Sequence, residues 1–178
     1  SHNTAVIDEQ ETNKLDGINV FGIEALVFPR VTNWASNSDE DVLEGEYSIN
    51  RDAGALTHRR SFTLRKSNYY LQIVDEFIGA GHHQIRLLFN FDTALEPTIL
   101  QESGVMVAGY NTATLFIVPS LPSSTKIAVS EGWISQVYGH KRPRKTVYYE
   151  YSGATPVRFK FVISALPQPR WARFPCHV

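Results

Sequence analysis

Six histidines, His2, His58, His82, His83, His140 and His177, are the first side chains to test for chemistry. Imidazole can bind a metal or move a proton near neutral pH. None of the six stands in a dense ligand pattern such as His-x-His or His-Glu-x-x-His. His58 and His83 fall on the apolar faces of alternating segments, where a histidine is more often a hydrogen-bonded core residue than a ligand. His82 and His140 fall in expected turns, where the ring is solvated. The one cysteine, Cys176, excludes an internal disulfide and a cysteine-rich zinc site. There is no Gly-x-Ser-x-Gly elbow and no phosphate-cradling glycine loop. Asp75 ends the run Leu71-Gln72-Ile73-Val74 just before a glycine-rich break, so its expected role is to accept backbone N–H groups there. Trp133 and Tyr138 are of the type that stacks on sugar rings, but core packing is the expectation for both. No catalytic constellation is complete.

Charge adds one further candidate. The net charge of −1 is unevenly spread: residues 1–89 carry 8 Lys/Arg against 13 Asp/Glu, and residues 90–178 carry 9 against 5. The densest block is His140-Lys141-Arg142-Pro143-Arg144-Lys145. It reads first as a solvated hairpin tip. The alternative is a contact for an acidic glycan, since arginine holds anions through a planar fork. A nucleic-acid role would need a broader basic face. No apolar run approaches the roughly 20 residues of a membrane-spanning helix, and Ser1 to Lys14 is too polar for a secretory leader.

The elements that must position these residues are strands. Side chains two apart share a face. Leu56, His58, Arg60, Phe62 and Leu64 oppose Thr57, Arg59, Ser61, Thr63 and Arg65. His83, Ile85, Leu87, Phe89 and Phe91 form a second such row. Val157, Phe159, Phe161 and Ile163 form a third. Tyr69 to Phe77 and Ala113 to Val118 are evenly apolar, as strands covered on both faces would be. Lys66-Ser67-Asn68, Gly79-Ala80-Gly81, Pro119 to Ser124 and Ser152-Gly153-Ala154-Thr155-Pro156 read as turns between strands. Ser36 to Glu46 reads as an exposed acidic loop, with Asp39 to Glu46 long enough for a turn or two of helix. At least eight strands with one apolar face need a second layer, so the expected fold is all-β, an antiparallel two-sheet β-sandwich forming a single domain over residues 1–178.

Three motifs resemble those of heparinase II/III-like polysaccharide lyases. The first is Ser1-His2-Asn3-Thr4-Ala5-Val6-Ile7-Asp8, similar to the family's His-Asn-Thr triplet followed by β-branched residues and Asp. The second is His58-Arg59-Arg60, then Tyr70, Val74-Asp75, Gly79 and His83. The third is Gly132-Trp133-Ile134-Ser135 with Tyr138-Gly139. Together they span about three quarters of the chain in matching order. Asn90 is a departure, standing where family members often carry His.

The resemblance implies a larger parent in which an N-terminal helical toroid joins β-sandwich domains, with this chain a C-terminal fragment. It implies cleavage of uronic-acid-containing polysaccharide by β-elimination. That reaction must neutralise the uronate carboxylate, remove the adjacent proton and protonate the leaving oxygen. The family's catalytic groups lie mostly upstream of Ser1, so no catalytic residue is expected in this chain. His2 matches a histidine that in some members joins an upstream His and Asp around a structural zinc. A structural zinc normally takes four ligands, so none is expected in this chain alone. Implied partners are an acidic polysaccharide and the upstream helical domain, and the implied location is periplasmic or extracellular. The alternative function is a non-catalytic acidic-glycan-binding or structural β-sandwich module.

Overall fold

A computed structural model describes residues 2–10, 13–15, 22–51, 54–68, 70–100, 104–109 and 115–165. Among these residues there is no helix. The strands are β1 Ala5–Ile7, β2 Asn13–Leu15, β3 Ile23–Ala25, β4 Arg30–Ser36, β5 Glu40–Arg51 and β6 Gly54–Arg65. They continue with β7 Tyr70–Asn90, β8 Leu95–Ile99, β9 Val105–Gly109, β10 Leu115–Ser120, β11 Lys126–Val137 and β12 His140–Ser164. Cys176, His177, Tyr69 and Ala113 lie outside the described residues.

All pairings are antiparallel, as expected. The layering has a different origin from two separate sheets. One hydrogen-bonded sheet runs in the order β4-β5-β6-β7-β12-β10-β9-β8, with β1 added to β7 and β11 to β12. Strands β2 and β3 form a small separate sheet. Within the large sheet, β7 and β12 pair along nearly their whole lengths, so Phe161 lies opposite Ile73. Phe89 lies sixteen positions along β7 from Ile73, roughly 53 Å away on a straight strand. Yet the Phe89 and Phe161 rings are 4.9 Å apart. The sheet therefore folds over on itself, and its two arms bury one core between them.

The crease explains two corrections. Gly79-Ala80-Gly81 and Ser152 to Pro156 were expected as turns, but both segments stay in their strands. Thr155 pairs with Gly81 and Val157 with Phe77, so the ladder is interrupted where Ile78 to Ala80 of β7 stand against Pro156 alone, and it resumes on either side. A β-bulge between Thr155 and Val157 takes up Pro156, which has no N–H to give the ladder. Gly79 has φ +148°, and a Cβ there would lie 2.3 Å from the Ala55 carbonyl oxygen. Only glycine tolerates both conditions.

Period two continues through the crease. Ile73, Asp75 and Phe77 are buried before it, and His83, Ile85, Leu87 and Phe89 after it. Val147, Tyr149, Phe159 and Phe161 of β12 complete the centre of the core with Val105, Val107 and Ile117 from β9 and β10.

Ser36 to Glu46 is a third correction. It forms the β4–β5 hairpin and the first half of β5. The Asn37 side-chain carbonyl accepts the Asp39 and Glu40 amides at 2.8 and 2.9 Å, which sets the turn. The acidic side chains gain cations across the ladder: Glu40 pairs with Arg65 at 2.8 Å and Asp41 with Lys66 at 2.7 Å.

Candidate functional site

Strand β6 turns His58 and Arg60 toward the core side by its two-residue alternation. The pairing register then decides their neighbours. His58 sits between Tyr47 of β5 and Phe77 of β7, and Arg60 between Gly45 and Asp75. Asp75 is fully buried. Its Oδ1 accepts from His58 Nε2 and from Arg60 Nε, each at 2.6 Å, and its Oδ2 accepts from Arg60 Nη2 at 3.0 Å. The guanidinium thus grips the carboxylate with two prongs. An ionised carboxylate can only accept, so His58 Nε2 carries a hydrogen. His58 Nδ1 lies 3.1 Å from the Tyr47 hydroxyl. The ring stacks on Phe77 at 4.5 Å and meets Tyr47 edge-on at 5.2 Å. Burial alone would push the Asp75 carboxyl up. The His58 hydrogen bond, with the charge and hydrogen bonds of Arg60, outweighs burial and holds it below its ordinary value of 3.8. Asp75 therefore does not receive turn amides as expected; it binds two side chains in the middle of a strand.

The cluster reaches outward to the N-terminal segment. Arg60 Nη1 donates to the Asn3 carbonyl oxygen. Asn3 Oδ1 accepts the Asn90 amide at 2.7 Å, Asn90 Nδ2 donates to the His2 carbonyl at 3.1 Å, and the Thr4 carbonyl accepts the Leu88 amide at 3.0 Å. Beyond β1, Asp8 adopts φ +53°, accepts the Gln84 amide at 2.9 Å and meets His83 Nδ1 at 2.9 Å. Asn3 and Asp8 thus pin the two ends of β1 to β7. The first two motifs singled out in the sequence meet here.

Beside the cluster opens a cleft of about 310 Å³, lined by Thr4, Arg30, Leu43, Tyr47, Arg60 and Phe62 among others. Phe28, Val31 and Trp34 stand exposed nearby. Glu46, also on the lining, accepts from Arg30 Nη2 at 2.5 Å and Arg59 Nε at 2.9 Å. Those hydrogen bonds, Arg30's first, lower its pKa.

The other candidates are scattered. His83 is buried as expected, and His82 is exposed but on strand β7 rather than in a turn. His2 is exposed at the start of the described chain. Among the described residues no group of three or more His, Cys, Asp or Glu could hold a metal, so His2 does not by itself make a zinc site. The block from His140 to Lys145 starts β12 at a hairpin turn, as expected. Trp133 and Tyr138 are not core residues: they are 58% and 96% exposed. Tyr47, Glu46 and Arg30 were not singled out in the sequence. Their roles depend on strand register, which no local signal encodes.

The family model for the heparinase II/III-like C-terminal region matches residues 1–166. No curated protein sequence gives a significant match. Among solved structures, a heparinase III gene product superposes with TM-score 0.73 at 19% identity, over 93% of this chain and 24% of that one. The heparan sulfate lyase HepC of Pedobacter heparinus superposes with TM-score 0.69 at 18% identity, over 94% of this chain and 24% of that one. At such identities the likeness shows the fold, and the chain spans about a quarter of each relative's length. The family match over residues 1–166 means that this chain belongs to the heparinase II/III-like family, as its C-terminal region.

Proposed function

We propose that this chain is the β-module of a polysaccharide lyase, forming one wall of the cleft in which a larger parent cleaves uronic-acid-containing polysaccharide by β-elimination. The observation that carries this reading is the state of the groups beside the cleft. Both ring nitrogens of His58 are engaged, the Asp75 carboxylate holds two partners, and Arg60 is spent on Asp75 and Asn3. A base needs a free lone pair, and a carboxylate clamp needs a spare guanidinium face. These residues position the His2–Thr4 segment at the cleft and leave proton transfer to groups contributed upstream. His2 would supply one ligand to a zinc completed by that region. The exposed Phe28, Val31 and Trp34 are the kind of apolar edge that an adjoining domain covers. A periplasmic or extracellular location goes with a polysaccharide substrate of this size.

The test is to join the encoded upstream region to this chain and assay heparan sulfate, heparin and alginate by the ultraviolet absorbance of unsaturated products. The extended protein should form product from at least one of them. Arg60→Ala should reduce turnover in that protein by loosening the His2–Thr4 segment. Absence of product from every uronate polysaccharide would overturn the reading.

A further inference from the structure

The β11–β12 hairpin ends in a tip that the rest of the fold leaves open. Lys145 still meets the opposite arm, through Glu96 of β8 at 2.6 Å. Farther out, every residue from Ser135 to Pro143 is exposed. Gln136 Nε2 donates to Asp92 at 2.9 Å and braces the tip from one side. The turn is Tyr138-Gly139, with Gly139 at φ +77°. Its surroundings are apolar: Val137 is 63% exposed, Tyr138 96%, and Trp133, farther back, 58%. Large apolar side chains grouped at a leading turn mark a contact surface.

Charge gives that surface a sign, and on both faces. No Asp or Glu occurs between Glu131 and Glu150, whereas His140, Lys141, Arg142, Arg144 and Lys145 do. Trp133 pairs with Pro143 and so shares a face with Lys141, whose Nζ stands 4.5 Å from the indole centroid. Ile134 pairs with Arg142 and Val137 with His140, so these four share the other face, around a hollow of about 430 Å³. Among the described residues neither Lys141 nor Arg142 has a carboxylate partner. A groove in a folded partner, or one bound molecule, would use a single face. A lipid headgroup layer is fluid and closes around a tip from every side. Trp and Tyr settle at headgroup level, and each Lys or Arg near an anionic leaflet adds about fivefold to binding.

We propose that the β11–β12 hairpin tip docks on an anionic phospholipid surface. Val137 and Tyr138 enter the headgroup layer at the turn, with Trp133 at its edge. Lys141 and Arg142 meet lipid phosphates from opposite faces of the hairpin. The contact is peripheral and sensitive to salt. It is separate from the cleft beside Arg60 and rests on no part of the lyase reading. Its effect is to hold the module beside a membrane.

The test is co-sedimentation of the 178-residue chain with vesicles at physiological salt. One set is pure phosphatidylcholine, and the other is phosphatidylcholine mixed equally with phosphatidylglycerol. The chain should sediment with the mixed vesicles and not with the neutral ones, and added salt should release it. The pair Lys141→Gln/Arg142→Gln should weaken binding about tenfold or more. Val137→Ser/Tyr138→Ser should weaken it to a similar extent, with an unchanged circular dichroism spectrum because both side chains are exposed. Arg158→Gln, elsewhere on the sheet, should change nothing. The proposal is overturned if the mixed vesicles bind no better than the neutral ones, or if the cation pair is neutralised without loss. It is overturned too if only the cation pair matters and the apolar pair does not, which would make the tip a contact for a soluble polyanion. Loss of vesicle binding in the protein extended by its upstream region would also overturn it, by making the tip a domain contact.

Discussion

Asp75 shows most clearly what one residue does in this fold. It is a fully buried charge, tolerated because His58 and Arg60 both donate to it. Asp75→Asn should destabilise the chain by about 3–5 kcal/mol, since it leaves Arg60 without its counter-charge; denaturant titration measures this. The carboxyl is held below 3.8 in the folded chain. Its contribution is therefore complete above that pH and is lost as the pH falls through the depressed folded value. Acid titration of stability should show a limb below pH 3.8 that Asp75→Asn flattens. In the sequence, burial of His58 and His83 was legible from their places in apolar rows. Asp75's partners were not, because they sit on the neighbouring strand β6 and pairing register joins them. Trp133 and Tyr138 misled for a related reason: alternation tells which side a residue faces, not how far the opposite layer extends.

Among the elements, the creased strands β7 and β12 matter most. Local signals at Gly79-Ala80-Gly81 and Ser152 to Pro156 resemble turns, because the residues that end a strand are also those that bend one. What separates the cases is the partner strand, and here β7 and β12 lose pairing together, at Ile78 to Ala80 and at Pro156, and regain it on either side. Gly79→Ala should cost about 2 kcal/mol or more, as its Cβ would strike the Ala55 carbonyl in an already unfavourable φ region. Gly139→Ala is the control. Its φ is +77°, but open space surrounds it, so the cost should be limited to about 1–2 kcal/mol of backbone strain. Thermal unfolding of the two variants distinguishes a crease from an ordinary turn. The acidic stretch of β5 was equally hard to read. Glu40 and Asp41 gave it the look of a loop; pairing with β4 and β6 makes it a strand, and Arg65 and Lys66 offset its charge.

For the whole molecule, the two arms of one folded sheet must be held face to face by the rings at their centre. Phe161 touches both Phe89 and Tyr149 at 4.9 Å between centroids. Phe161→Ala should cost about 3–5 kcal/mol, and the arms should still unfold in a single transition by circular dichroism and by fluorescence. The sandwich class was legible because three alternating rows need a second layer to cover them. Its single-sheet connectivity was not, since period two is the same whether a strand ends at a glycine or bends there.

The central claim, a cleft wall that positions without catalysing, is tested most directly by incubating the 178-residue chain alone with heparan sulfate, heparin and alginate. Ultraviolet absorbance should stay flat over hours at any protein concentration. A rise that scales with the amount of chain, and that vanishes in Tyr47→Phe or Arg60→Ala, would place the base and the carboxylate clamp within this module and contradict the account.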